Sequence, residues 1–148
     1  MVQIERLRPE GLVRSPAFSH VAVVPPGATT IWVGGQNGVD ETGAVVSDDA
    51  AEQSVRAIEN AALALAAAGA TLADVVQWTV LLVAGADLQA AYGAVARRLA
   101  TGGEPALVTA AIVSSLGVPR ALVDHRHPRR PHRAGPRPPA PRPPPPGR

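Results

Sequence analysis

The chain has 148 residues, no cysteine and no lysine, and 46% of its residues are apolar although only 3% are aromatic. The lack of cysteine excludes disulfides, thiol nucleophiles and cysteine-ligated zinc, and the lack of lysine argues against P-loop and Schiff-base chemistry. All 12 acidic residues lie within residues 1–124 together with seven arginines, whereas residues 125–148 carry seven arginines and no acid. The first segment is therefore about five charges negative and the second seven positive.

The C-terminal segment, residues 125–148, contains 10 of the 16 prolines and three of the four histidines. Such a composition cannot bury enough apolar surface to offset the entropy of ordering the chain. We therefore expect a folded domain over residues 1–124 and a disordered, basic tail over residues 125–148. The final strand is expected to begin near Arg120 and to stop at His125. This abrupt end indicates either that residues 125–148 are a genuine extension of the protein or that the reading frame changes near Asp124.

The tail suggests three activities. Seven arginines favour weak, salt-sensitive binding of RNA or DNA, although no aromatic residues are interleaved for base stacking. His125, His127 and His132 are candidate metal ligands, and Arg133 begins an Arg-x-x-Pro-x-x-Pro pattern typical of polyproline ligands. The histidines lack supporting carboxylates, and the polyproline pattern is expected by chance in so proline-rich a segment, so we predict no metal and no cofactor.

The N-terminus carries charge where a signal peptide needs an apolar stretch, and no run approaches the roughly 18 to 20 apolar residues of a membrane span. The sequence predicts a cytoplasmic protein with no membrane partner.

The first predicted elements are strands. Residues 18–24 and 29–33 are rich in β-branched and aromatic residues, and Pro25-Pro26-Gly27 between them is typical of a turn. These features predict a hairpin. The glycine-rich residues 34–38 end its second strand, and a short third strand is expected at residues 44–46.

Two helices and two apolar strands follow. Ser47-Asp48-Asp49 provides an N-cap and first-turn acids for a helix that Gly69 ends, and Asp87 begins a second helix running to Leu99. Strands are predicted at residues 75–83 and 106–113. The resulting order, β-β-β-α-β-α-β-β, is an α+β fold with two helices on one face of a mixed sheet.

The strands at residues 75–83 and 106–113 are apolar on both faces, whereas a sheet with helices on one side and water on the other should alternate. Because the chain has no further segment to cover the second face, we expect another copy of the chain to cover it. One register predicts an interface formed by Val80, Leu82, Val108 and Ile112, although the sequence does not determine which face they occupy.

Few residues in the folded segment favour catalysis. His20 lies in an alternating strand and is either a general base or a structural residue. Residues 34–38 could present backbone N–H groups to an anion or form a turn that needs glycine. Asp48 and Asp49 are adjacent, so we expect them to complement a helix dipole.

Four stretches in register resemble the Rid family of reactive intermediate/imine deaminases, also called the YjgF family. They are Phe18-Ser19-His20-Val21, Ile31-Trp32-Val33-Gly34-Gly35-Gln36, residues 67–82 and Glu104-Pro105-Ala106. The resemblance implies a chorismate-mutase-like α+β fold and a homotrimer whose sheets form a central barrel with ligand pockets between subunits. It also implies hydrolysis of 2-imino or enamine acids without a cofactor or metal. In that reaction an arginine holds the substrate carboxylate.

The chain departs from this family at several pocket positions. Leu107 follows Pro-Ala where the family has its arginine, and Phe18 replaces a common tyrosine. Tyr92 stands where an amide is often found, Gly34 replaces a serine, and the family's late-strand glutamate falls near Arg126. The named side-chain chemistry of the family is therefore mostly missing.

The resemblance places the ligand-binding residues in the cleft between subunits, and they are Phe18, Gly34, Gly35, Tyr92, Leu107 and Arg120. One hypothesis is a trimer that binds a small, less acidic or apolar metabolite and lacks arginine-dependent deaminase activity. Another is a divergent imine deaminase in which Arg120, or an arginine of the neighbouring subunit, holds the carboxylate. A third is a nucleic-acid-interacting protein that acts through its basic tail.

Overall fold

The structure is a computed structural model that describes residues 3–129. The part of the predicted tail at residues 130–148, with His132 and the polyproline pattern from Arg133, lies outside the described residues.

The described residues form six strands, two α-helices and one short 3₁₀ turn. In chain order they are β1 (Glu5–Leu7), β2 (Val21–Val23), β3 (Ile31–Gln36), α1 (Ala50–Ala67), the 3₁₀ turn (Leu72–Asp74), β4 (Gln77–Val83), α2 (Leu88–Leu99), β5 (Leu107–Val113) and β6 (Val123–Arg129).

The larger sheet has four strands in the order β3-β6-β4-β5, and β1 and β2 form a separate two-stranded sheet. Strands β4 and β5 are parallel, whereas β6 is antiparallel to both β3 and β4. The core lies between this sheet and the two helices, where Ile58 and Leu65 of α1 and Val95 of α2 pack with Trp78 of β4. The predicted α+β class, a mixed sheet with two helices, is confirmed.

The predicted hairpin is wrong. Strand β2 pairs with β1, and β3 pairs with β6 instead of β2. Strand β1 has only three residues, too few for the sequence pattern to reveal it. The third predicted strand, at residues 44–46, makes only an isolated bridge between Val45 and Val39. The turn residues 25–27 suggested that β2 pairs with β3, the next strand in sequence. Instead, β2 pairs with the strand before it, and β3 pairs with the last strand.

The helix ends agree with the prediction. The Asp49 carboxylate accepts hydrogen bonds from the Ala51 and Glu52 N–H groups, and the Asp87 carboxylate accepts one from the Ala90 N–H. Gly69, with φ of +74°, follows the C-terminus of α1, and this left-handed backbone favours glycine. Aspartate caps therefore set the start of both helices from local sequence, and a glycine sets the end of α1.

The prediction that the last strand stops at His125 is wrong, because β6 continues to Arg129. His125 lies opposite both Val80 of β4 and Gln36 of β3, so this strand has ladder partners on both sides. Tertiary pairing here overrides a local sequence that disfavours a strand. The expected boundary between residues 124 and 125 therefore falls within β6.

The two faces of the sheet differ. Val80 and Leu82 point toward the helices and pack against the core, so they cannot contribute to the predicted interface. Val108 and Ile112 share that face by register, but both are exposed on the edge strand β5. We call the opposite side, which carries Leu81, Thr109 and Ala111 among others, the helix-free face.

None of the helices within residues 3–129 is long and apolar enough to cross a membrane.

Candidate functional site

A cavity of about 170 Å³ lies between α2 and the helix-bearing face of β4 and β5. Its walls are mainly apolar and aromatic, and they include Phe18, Trp78, Val80, Tyr92, Val95 and Val108. We call it the α2 cavity. Cavities of this character are typical sites for small organic molecules.

The α2 cavity exists because α2 offers little volume toward the sheet. Only Ala91 and Val95 of this helix are buried, and Ala110 of β5 lies on the opposite wall. Leu88 and Tyr92 remain half-exposed at the rim. Alanine side chains on both walls therefore leave space that larger side chains would fill.

Two polar side chains also line the α2 cavity. Ser54 of α1 is 1% exposed, and its hydroxyl has no hydrogen-bond partner among the described residues. His125 of β6 is 4% exposed and lies edge-to-face against Trp78, with the ring centroids 6.1 Å apart. His125 is thus a core residue, not the tail residue that its sequence context suggested.

The cavity contains two of the six predicted site residues. Phe18 and Tyr92 line it, whereas Gly34, Gly35, Leu107 and Arg120 do not. The α2 cavity is therefore not the predicted site, which the resemblance places in a cleft between subunits.

Gly34 and Gly35 form an irregularity in β3, where the register with β6 shifts between Val33 and Gln36. A Cβ on Gly35 would lie 2.6 Å from an Asp124 carboxylate oxygen, whereas one on Gly34 would meet nothing within 4 Å. A side chain at position 35 would therefore displace the buried Asp124 carboxylate, and this close approach accounts for the glycine without an anion.

Leu107 begins β5 opposite Gln77, and its N–H donates to the Val76 carbonyl at 3.0 Å. By register it lies on the helix-free face, away from Val108 and the α2 cavity. On the neighbouring strand β4, the Gln77 side-chain amide donates to the Thr109 hydroxyl at 3.1 Å. The position that the resemblance aligns with the family's arginine is thus half-buried and uncharged.

Arg126 is a cation on this face, and its Nη2 lies 3.0 Å from an Asp124 carboxylate oxygen. Hydrogen bonding to Asp124 and its charge raise the pKa of Arg126. Asp124 is buried, so Arg126 compensates a charge that would otherwise be costly to bury. The Arg126 guanidinium is therefore already paired with a carboxylate of the same chain.

Arg120 is also engaged. Its Nη2 lies 2.5 Å from Asp48 Oδ1, and its carbonyl accepts a hydrogen bond from the buried Gln53 amide. Arg120 adopts a φ of 64°, an uncommon backbone for an arginine. Asp48, expected to complement the helix dipole, thus pairs with Arg120, while Asp49 alone caps the helix.

The His20 ring is held by two contacts within the fold. Its Nε2 lies 2.7 Å from the Val13 carbonyl, and its ring packs edge-to-face on Phe18. Within residues 3–129, no three histidine or acidic side chains are grouped so that they could hold a metal ion.

Sequence reasoning missed Ser54, Trp78 and His125. Trp78 appeared only as one apolar residue of a strand, and His125 was assigned to the tail. Ser54 had one usable signal, because it lies beside the Val55 and Ile58 positions of the apolar stripe of α1. The hydroxyl of a serine near such a stripe often donates a hydrogen bond to a carbonyl of its own helix. The Ser54 hydroxyl has no such partner among the described residues.

The chain is related to one known protein family. The family model described as endoribonuclease L-PSP matches residues 12–124. No curated protein matches the chain significantly.

Several solved structures share the fold. The Rid-family protein YyfB from Yersinia pestis, of unknown function, is 26% identical with a TM-score of 0.76, covering 86% of this chain and 98% of its own. A member of the YjgF/YER057c/UK114 family from Mycobacterium tuberculosis is 26% identical with a TM-score of 0.58, covering 76% and 85%. RidA from an Antarctic Psychrobacter species, at 22% identity and a TM-score of 0.62 over 87% and 97%, shares the fold.

Proposed function

Because the chain belongs to the endoribonuclease L-PSP family, which is the YjgF or Rid family, we propose that it is a metabolite-binding member without the arginine-dependent deaminase activity. The proposed ligand is a small molecule that is less acidic than a 2-imino acid or carries an apolar tail. The proposed site is the cleft between subunits of a homotrimer, on the helix-free face near Leu107.

The observation that carries this proposal is the leucine at position 107. A leucine cannot donate a hydrogen bond, so a substrate carboxylate at this position would lose its charge partner. Loss of a charge-assisted bidentate contact costs on the order of 2–5 kcal/mol, or roughly thirty- to several-thousand-fold in affinity.

Two arginines in the described part of the chain are candidates to replace the missing cation, and each already pairs with a carboxylate. Arg120 pairs with Asp48 and Arg126 pairs with Asp124. To bind a substrate carboxylate, either guanidinium would have to share or give up its own carboxylate partner. For Arg126 this would leave the buried Asp124 without compensation.

The experiment is a deaminase assay in which a 2-imino acid is generated in situ and its hydrolysis is followed. We expect the wild type to add nothing to the spontaneous rate and Leu107→Arg to raise it. Leu107→Gln is the matched control, because it adds polarity without charge. Rapid turnover by the wild type would refute the proposal and favour the divergent deaminase, in which an arginine of the neighbouring subunit holds the carboxylate.

A further inference from the structure

We propose that the α2 cavity is a second binding site, separate from the cleft near Leu107, for a small uncharged molecule with an apolar body and one hydroxyl or carbonyl group. Phenols and short branched alcohols are the class of ligand that fits. The proposal stands on one chain alone and does not depend on how subunits assemble.

The size of the cavity sets the size of the ligand. Its volume is about 170 Å³. An apolar cavity of about 150 Å³ in another protein stays dry and holds one benzene molecule. A six-membered ring with one substituent is therefore the appropriate scale.

The lining sets the polarity of the ligand. Among the described residues, His125 lines the α2 cavity but no arginine, aspartate or glutamate does, so a charged molecule would lose its hydration without gaining a permanently charged partner. The body of the ligand would instead contact Trp78, Val80 and Val95. An uncharged, mainly apolar molecule is therefore favoured.

The Ser54 hydroxyl selects for one polar group. It is buried, lines the cavity and has no hydrogen-bond partner among residues 3–129. Buried polar groups are nearly always hydrogen-bonded, so this hydroxyl is an exception that a ligand would remove. A ligand hydroxyl or carbonyl placed against Ser54 would provide the missing partner.

The rim provides a route of entry. Leu88 and Tyr92 of α2 and Val108 of β5 all line the cavity, and each exposes a third to a half of its surface. Because β5 is the edge strand of the sheet, this opening lies between the last helix and the sheet edge. A small molecule can therefore enter without separating the core.

Trp78 supplies a direct reporter. The sequence has two tryptophans, and Trp32 is 77% exposed on the helix-free face, so Trp32→Phe leaves Trp78 as the single indole. We would titrate the full-length Trp32→Phe protein with phenol, benzene and benzoate while recording tryptophan emission. Phenol and benzene should give saturable changes, phenol binding about three- to tenfold more tightly through one hydrogen bond, and benzoate should give none.

Substitutions test the location. Ala91→Leu should fill the cavity from the helix and abolish saturable binding, whereas Ala94→Leu, on the exposed side of the same helix, should not. Ala110→Leu fills the cavity from the exposed strand β5 and serves if Ala91→Leu disturbs the helix packing. Ser54→Ala should keep benzene binding and lose the preference for phenol.

Three results would overturn the proposal. They are a Trp78 signal that does not saturate in folded protein, binding that survives both filling substitutions, and a phenol preference that persists in Ser54→Ala. Leu107→Arg lies on the other face and should not change phenol binding, so failure of the proposed metabolite cleft would be distinguished from failure of this site.

Discussion

Single glycines determine how closely β3 and its following turn approach other elements. A Cβ on Gly38 would lie 2.5 Å from the Gln53 Cα, which belongs to the backbone of α1. We expect Gly38→Ala to destabilise the fold by about 1–3 kcal/mol, because the helix backbone cannot yield as a flexible side chain would. Thermal unfolding followed by circular dichroism measures the effect, and Gly34→Ala, with open space around it, should be nearly neutral. Equal losses in both variants would contradict this packing.

A second residue-level prediction concerns acid stability. The Asp40 carboxylate accepts hydrogen bonds from the Thr42 hydroxyl at 2.7 Å and from the Ala44 and Thr42 N–H groups at 3.0 and 2.9 Å. These bonds, led by the one from the Thr42 hydroxyl, hold the pKa of Asp40 below its ordinary value of 3.8. The charged form therefore contributes stability fully above about pH 4, and the contribution is lost as pH falls through the lowered pKa.

Asp40→Asn should accordingly lower the Tm at pH 7 and have progressively less effect as the pH falls below the ordinary pKa of aspartate and the wild-type carboxylate takes up its proton. Glu10→Gln, at an exposed carboxylate, controls for the loss of one charge. A Tm difference that stays constant across this pH range would show that the carboxylate charge is not what stabilises the turn.

The candidate site was only partly accessible to residue-level reasoning. Phe18 and Tyr92 line the α2 cavity, but the family pattern predicted them for a different site, the cleft between subunits. Ser54 and His125 became site residues only through packing, because α1 and β6 bring them together beneath α2. A cavity depends on the volumes missing between elements, and no single stretch of sequence contains that information.

At the level of elements, helices and strands differed in how well the sequence predicted them. Both bounds of α1 and the start of α2 followed from Asp49, Gly69 and Asp87, whose effects are local. Strand pairing was not predicted, because β3 joins β6 across about 90 residues of intervening chain. Register between distant strands depends on the complete sheet, so the local turn at Pro25-Pro26-Gly27 was a misleading guide.

The extent of β6 leads to a prediction about truncation. Deletion of residues 130–148 should leave the Tm nearly unchanged, since the proline- and arginine-rich composition there favours a segment without a core. Deletion of residues 125–148 should lower the Tm by more than about 5 °C. It removes the buried His125, the Arg126 partner of Asp124 and the ladder contacts with β3 and β4.

The two truncations control for each other, because they differ only in residues 125–129. Equal stability of both proteins would show that β6 contributes nothing beyond Asp124 and would restore the boundary expected from composition. A large loss in the shorter deletion would show instead that residues beyond Arg129 pack on the folded part.

For the whole molecule, the described chain leaves its helix-free face uncovered. Trp32 is 77% exposed on this face, and Thr109 and Ala111 are exposed on the edge strand β5. Both helices pack on the other face, so no element within residues 3–129 covers this one. The prediction from sequence that another copy of the chain covers this face therefore stands. The residues on it alternate along the strands with Val80 and Leu82, which face the helices.

We therefore expect a homotrimer in solution, held together through the helix-free face. Ala111→Glu places a charge at the centre of β5 on this face, and burying it between subunits would be costly without a partner. Leu63→Glu is the matched control, because Leu63 is 68% exposed on α1 away from the sheet. Multi-angle light scattering at micromolar concentration should give three times the chain mass for the wild type and Leu63→Glu, and a smaller species for Ala111→Glu. A monomeric wild type would contradict the trimer, and a trimeric Ala111→Glu would place the interface on another surface.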